Sequence, residues 1–188
     1  MTFQRQRRAP RPLDPGRLDE LALRYVGRFA TTRAKLVTYL NRKLHERGWE
    51  GDREPAVMAI AERFAGLGYI DDSAYALSKA GALSARGYGK RRLSDTLSRA
   101  GIEEHDRRPA LDHADGMAVE AAIRFATRKR IGPFGPSSTD DPREREKALA
   151  AMIRAGHSFG LARAILSLAP GEPVDPESLA EFCHPTTN

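Results

Sequence analysis

The segment "LSRAGI", Leu97 to Ile102, decides the fold, because it has two echoes: "LHERGW" at Leu44–Trp49 and "MIRAGH" at Met152–His157. Each runs from an apolar residue through charged ones to a glycine and then a bulky residue, the order expected where a helix stops on a left-handed glycine. The three glycines, Gly48, Gly101 and Gly156, lie 53 and 55 residues apart. That period fits a helix-loop-helix-loop-helix unit that buries its apolar stripe partly against its neighbours. The pattern predicts an all-α chain, an elongated tandem array of three three-helix repeats.

Outward from these stops, apolar residues keep helical spacing: Leu18, Leu21, Tyr25, Phe29; then Leu36, Leu40, Leu44; then Val57, Ile60, Phe64, Leu67. Gly68, Gly87 and Gly132 also follow periodic runs, and Asp71-Asp72, Asp141-Pro142 and Ser158 read as helix starts. About nine helices result. The boundaries expected are 17–70, 71–113 and 114–169 for the repeats, with a mobile loop insertion, "IGPFGPSSTDDP", at 131–142. Residues 1–16 read as a flexible basic tail and 170–188 as a flexible Pro-rich one.

Composition excludes other classes. Of 188 residues, 31 are Lys or Arg and 25 Asp or Glu, giving +6 and a pI near 9.8. Ala and Leu fill 46 positions and Ile and Val only 12, which disfavours a β-rich fold. Aromatics at 7% and a mean hydropathy of −0.53 imply thin helical layers. Cys183 is the sole cysteine, so an internal disulfide and a multi-cysteine metal cluster are excluded. No apolar run approaches the ~20 residues of a membrane span. The basic start (Arg5, Arg7, Arg8, Arg11) runs into Pro12 and charged residues, not into a signal-peptide core. A soluble, cytoplasmic monomer is expected, with no membrane partner, cofactor or metal.

Charge is blocked along the chain: +8 over 1–48, −4 over 49–78, +5 over 79–101 and +4 over 123–130. Such residues can simply solvate helix faces. The clustered ones read better as a stripe that meets phosphates or an acidic protein surface. The candidate contacts are Arg33, Lys35, Arg42, Lys43, Arg86, Lys90, Arg91, Arg92, Arg99, Arg124, Arg128, Lys129 and Arg130.

Several motifs imitate catalysis. "GHSFG", Gly156–Gly160, matches the nucleophile elbow of serine hydrolases, with Asp175 and His184 following in the required order. That elbow needs a preceding strand, whereas "EREKALAAMIRAG" is helical in composition; Gly156 and Ser158 read more simply as caps, and Gly160 as packing room. "GYGKRR", Gly87–Arg92, suggests a phosphate loop but has Arg91 where Ser or Thr is needed, and no strand before it. His45, His105, His113, His157 and His184 lack paired metal-ligand spacing and are expected to be structural or solvent-facing.

Two linked motifs carry a resemblance. "LGYIDDSAYA", Leu67–Ala76, is similar to the G-Y-[LI]-D-D-x-x-[FY]-A signature of the RecX family, and "RGYGKRRLSDTLSRAGI", Arg86–Ile102, resembles that family's R-x-G-x-G-P-x-[RK]-[LI] segment and its helix stop. The likeness spans about residues 18–168; Lys90 replaces a usual proline, and His157 stands where an aromatic or aliphatic residue is common. Its signature positions here are Gly68, Tyr69, Ile70, Asp71, Asp72, Tyr75, Ala76, Gly87, Gly89 and Gly101, with Tyr69, Ile70 and Tyr75 expected in repeat-junction cores. The resemblance implies tandem three-helix repeats and a non-enzymatic regulator that binds RecA and its nucleoprotein filament and inhibits recombinase and ATPase activity. A stand-alone, sequence-tolerant DNA-binding module remains an alternative, and weak direct binding to DNA is compatible with both.

Overall fold

The computed structural model describes residues 11–136 and 141–183. Among them are ten α-helices: α1 Pro15–Val26, α2 Arg33–Arg47, α3 Val57–Gly66, α4 Asp72–Ala85, α5 Lys90–Arg99, α6 Glu104–Gly116, α7 Ala118–Lys129, α8 Pro142–Arg154, α9 Phe159–Ser167 and α10 Pro176–Ala180. A 3-10 turn, Gly132–Phe134, separates α7 from α8. Extended pairing among the described residues is limited to one isolated bridge, Leu13 with Trp49.

The chain divides into two compact units, one ending at Asp72 and the other beginning at Ser73. In the first, α1, α2 and α3 bury Leu18, Leu36, Leu40, Ile60 and Phe64, with Leu13 and Ile70 closing the cluster. The second holds two clusters. One, on α4 to α6, is built from Ala76, Ala80, Leu93, Leu97 and Ala110; the other, on α7 to α10, from Phe125, Met152, Leu161, Ile165 and Leu179. Small residues dominate the former, which lets short helices approach closely.

Five of the six glycine stops are where the sequence places them. Gly48, Gly68, Gly87, Gly101, Gly132 and Gly156 all have φ between +59° and +99°. At Gly101 the N–H reaches the Ser98 carbonyl (3.0 Å) and that of Ile102 reaches Leu97 (3.2 Å); at Gly156 the equivalent bonds run to Ile153 (3.0 Å) and, from His157, to Met152 (3.2 Å). These paired bonds satisfy the last carbonyls of each helix. Gly48 differs: its N–H bonds only Leu44 (2.8 Å), its ψ is 172°, and the chain leaves extended to pair Trp49 with Leu13. One stop is misplaced by sequence. α7 ends two residues before Gly132, on Arg130 in the left-handed region (φ 52°).

Three expectations need correction. The basic tail ends earlier than residue 16: Leu13 is fully buried, its N–H bonds Gly48 (2.9 Å), its carbonyl accepts from Glu50 (2.8 Å), and Asp14 caps α1. Residues 1–10 lie outside the described residues. The Pro-rich tail folds back as α10 and buries Leu179, while 184–188 lie outside the described residues. Within the 131–142 insertion, Pro133 is buried and Ile131 and Phe134 pack on the α7–α10 cluster; 137–140 lie outside the described residues, and Asp141 caps α8 as its sequence suggests. In each case a few apolar residues without helical period found a core. The expected boundary at 113/114 falls inside α6.

Candidate functional site

The corner between α4 and α5 gathers charge. Gly87 bonds Ser84 (2.9 Å) and the Tyr88 N–H bonds Leu83 (3.0 Å), a turn that brings half-buried Tyr88 against the α7–α10 cluster. Around its ring stand three guanidiniums: Arg86 at 5.6 Å from the centroid, Arg128 at 5.7 Å and Arg92 at 6.0 Å. Arg128 also lies 5.4 Å from the Phe125 ring and donates to the Arg86 carbonyl. The π faces of the rings offset part of the repulsion among these cations. Arg86, Arg91, Arg92, Arg99, Arg124, Arg128, Lys129 and Arg130 are all exposed, and no ion pair links any of them to another of the described residues. Such a surface is poised for an anion.

Backbone contact from the α8–α9 turn fixes this corner. The Gly89 N–H donates to the Ala155 carbonyl (2.9 Å) and that of Arg91 to Gly156 (3.2 Å). A Cβ on Gly89 would stand 2.3 Å from the Gly156 oxygen, and one on Gly156 2.4 Å from the Arg92 nitrogen, so only glycine admits the crossing. "GYGKRR" is therefore no phosphate loop: two of the N–H groups such a loop would offer are already bonded to carbonyls. The positive charge that this corner offers is carried by side chains, not by a backbone cradle.

His157 completes the junction. It is 2% exposed, 5.6 Å from the Phe125 ring, and its Nε2 donates to the Gly87 carbonyl at 3.2 Å. Burial pushes its pKa down to about 4, against the weaker opposing pull of that hydrogen bond, so the ring is neutral at pH 7. It holds Gly87, the residue whose turn seats Tyr88 against the α7–α10 cluster, and meets the expectation of a structural histidine.

"GHSFG" is a helix-helix turn. Ser158 Oγ accepts the Leu161 N–H (3.2 Å) and donates to the Phe182 carbonyl (3.1 Å), and Phe182 also closes over Gly160, as packing room requires. Asp175 is occupied at the start of α10, accepting from Ser178 and from the N–H groups of Glu177 and Ser178, which hold its carboxyl below the ordinary carboxylate range. His184 lies outside the described residues. Among the described residues no group of three or more His, Cys, Asp or Glu side chains could hold a metal.

The other candidate cations are not part of this platform. Arg33 is held by Asp72, whose carboxylate takes both its backbone N–H and its Nε at 3.1 Å, and stands 3.6 Å from Glu62. Arg42 and Lys43 share Glu46 at 3.7 and 2.5 Å, which lowers that carboxyl's pKa. Lys90 pairs with Asp115. Lys35 sits half-buried in the first turn of α2, its N–H on Thr32 Oγ1 (3.2 Å). The sequence reading missed Tyr88, although its place between Arg86 and the Lys90-Arg91-Arg92 run is the signal that could have found it.

Relatives of known family match most of this chain. A regulatory protein RecX of Myxococcus xanthus (strain DK1622) is 31% identical over 174 residues, 89% of this chain and 93% of the relative. The chain belongs to the RecX family. A RecX of Thermobifida fusca (strain YX) is 30% identical over 144 residues, 76% of this chain and 72% of its own. No protein-family model matches the chain. The crystal structure of RecX from Lactobacillus salivarius shares the fold, with a TM-score of 0.58 at 21% identity over 81% of this chain and 94% of that one.

The RecX signature residues prove to be mostly architectural. Gly68, Gly87 and Gly101 are left-handed stops, Gly89 is the close crossing, and Ile70 and Ala76 are buried. Asp71 is exposed just before α4, and Asp72, the first residue of α4, caps the start of α2 by accepting the Arg33 N–H. Tyr75 is half-buried with Lys79 5.1 Å from its ring. Tyr69 contradicts its core assignment: the turn at Gly68 leaves it 55% exposed, its ring 5.6 Å from Phe64. No helix among the described residues is long and apolar enough to cross a membrane.

Proposed function

We propose that this RecX-family chain is a non-enzymatic, cytoplasmic regulator that binds RecA and the RecA–DNA filament as a monomer and inhibits recombinase and ATPase activity. The observation that carries the reading is the convergence of Arg86, Arg92 and Arg128 on Tyr88, flanked by further exposed cations that have no carboxylate partner among the described residues. A filament of protein around a polyanion offers the complementary charge, in phosphates or in acidic side chains. Family membership supports a regulatory role, and Ser158 supports the absence of hydrolase chemistry by serving as a cap.

The test is inhibition of DNA-dependent ATP hydrolysis by RecA at two salt concentrations. Arg91→Glu with Arg92→Glu replaces two attractions by two repulsions while Leu93 and Leu97, 1% and 0% exposed, keep α5 in place. The double variant is expected to lose most inhibition and most of its salt sensitivity. Arg163→Glu, on exposed α9 surface, should change little. Equal inhibition by wild type and double variant at both salts would sink the proposal. Tight binding to naked DNA, undiminished without RecA, would favour the stand-alone DNA-binding module.

A further inference from the structure

The first unit carries an aromatic cluster that its own packing does not explain. Tyr25 on α1 and Tyr39 on α2 stack with centroids 4.3 Å apart and planes 16° from parallel, which closes the α1–α2 hairpin. Phe29 extends beyond that purpose. The N–H groups of Arg28 and Phe29 both bond the Tyr25 carbonyl (3.2 and 3.1 Å), a turn that sets the Phe29 ring 5.5 Å from Tyr25 yet leaves the residue 57% exposed. It borders an open cleft of about 530 Å³, lined by Leu21, Arg24, Tyr25, Arg28, Phe29, Tyr39 and Arg42. The lining holds three guanidiniums and no carboxylate.

Arg24 and Arg42 hold surface pairs with Glu20 (3.3 Å) and Glu46 (3.7 Å), which exchange cheaply for another anion. Arg28 makes no ion pair among the described residues. Its charge is open.

We infer that this cleft is a binding site for single-stranded nucleic acid, taking one unstacked base on the Phe29 ring and the adjoining phosphate on Arg28. The chemistry is that of stacking platforms: an aromatic face accepts any base, and neighbouring cations hold the backbone. A duplex keeps its bases stacked on one another and cannot present a face to Phe29. The site shares no residue with the cations around Tyr88, and its occupancy does not depend on RecA.

The experiment is fluorescence anisotropy of a labelled oligothymidylate on the full chain without RecA. It is run in the Arg91→Glu, Arg92→Glu background so that those cations do not mask the cleft. Phe29→Ala should weaken binding about 10-fold, in keeping with one lost base–aromatic stack, while Phe29→Tyr restores it. Arg28→Glu should weaken binding and flatten its salt dependence. A 5-iodouracil oligonucleotide should crosslink within residues 25–39. Unchanged circular dichroism of the Phe29→Ala variant excludes misfolding, which the exposure of Phe29 makes the expected result. Equal affinity of Phe29→Ala and the parent overturns the site. So does duplex binding as tight as single-strand binding, or a crosslink confined elsewhere.

Discussion

The two units differ in how much of their positive charge they pair: Arg28 is an exposed exception in the first, and Lys90, Arg107 and Lys147 are paired ones in the second. In the first, Arg17, Arg24, Arg33, Arg42, Lys43 and Arg63 each stand against a carboxylate of the same unit, and Asp72 is the buried example. In the second, the cations on α5 beyond Lys90 and those on α7 face no carboxylate among the described residues, and three of them crowd one tyrosine. A basic stretch of sequence is thus two different things. Internally paired cations must exchange a carboxylate before they hold a partner, at small cost where the pair is exposed; unpaired ones keep their full attraction for an outside anion.

The contrast can be broken most sharply at Gly156. Gly156→Ala adds a Cβ into the Arg92 backbone at a residue with φ of 99°, and should lower the stability of the second unit by about 3 kcal/mol, from the left-handed strain and the overpacking together. Gly81→Ala, in α4 with open space around it, should instead stabilise by up to ~1 kcal/mol. Urea denaturation of both variants checks the pair; a benign Gly156→Ala would mean that the crossing does not fix the platform.

Of comparable size is the pH dependence of His157. Its folded pKa is about 4, below the ordinary 6.5, so the unfolded chain binds the proton first as pH falls. Its contribution is intact above about 6.5 and is lost towards 4, with a slope of about 1.4 kcal/mol per pH unit between. Denaturation of wild type and His157→Gln across that window should show the slope only in the wild type.

In the first unit, Asp72→Ala removes both the partner of Arg33 and the acceptor of its N–H, and should cost about 2 kcal/mol, less than a fully buried pair because Arg33 is 27% exposed. Thermal melting should place this loss in the first unit, with RecA inhibition by the folded protein unaltered. The smallest effect expected is a gain. Arg130→Gly relieves the left-handed backbone and removes one unpaired cation, stabilising by about 1 kcal/mol while slightly weakening anion binding, measurable by calorimetry and by the ATPase assay.

Local chemistry was legible from sequence. Six glycines flagged as stops have positive φ, Ser158 and Asp141 are caps, and Leu93 and Leu97 set the buried face of α5. What escaped was long-range pairing. Arg33 and Asp72 are 39 residues apart and Lys90 and Asp115 are 25, so no window of periodicity could tell that Arg33 and Lys90 were neutralised while Arg91 and Arg92 were not. Leu13 and Leu179 escaped for the same reason, since neither belongs to a periodic apolar run and each packs on residues distant in sequence. Tyr88 lies inside a motif whose glycines and cations carry the stronger sequence signal, and only the fold brings Arg128 to its ring.

The crossing of Gly89 and Gly156 has a consequence for how this surface can be cut or moved. The residues that form the cationic corner are spelled out between Arg86 and Arg92, yet the carbonyls that anchor them come from Ala155 and Gly156, and Arg128 comes from a helix between. A fragment ending after α6 would retain the whole peptide text and lose its scaffold. The corner is a property of 73–183 taken together: it cannot be grafted as a loop, and it should disappear in a single step when that unit melts.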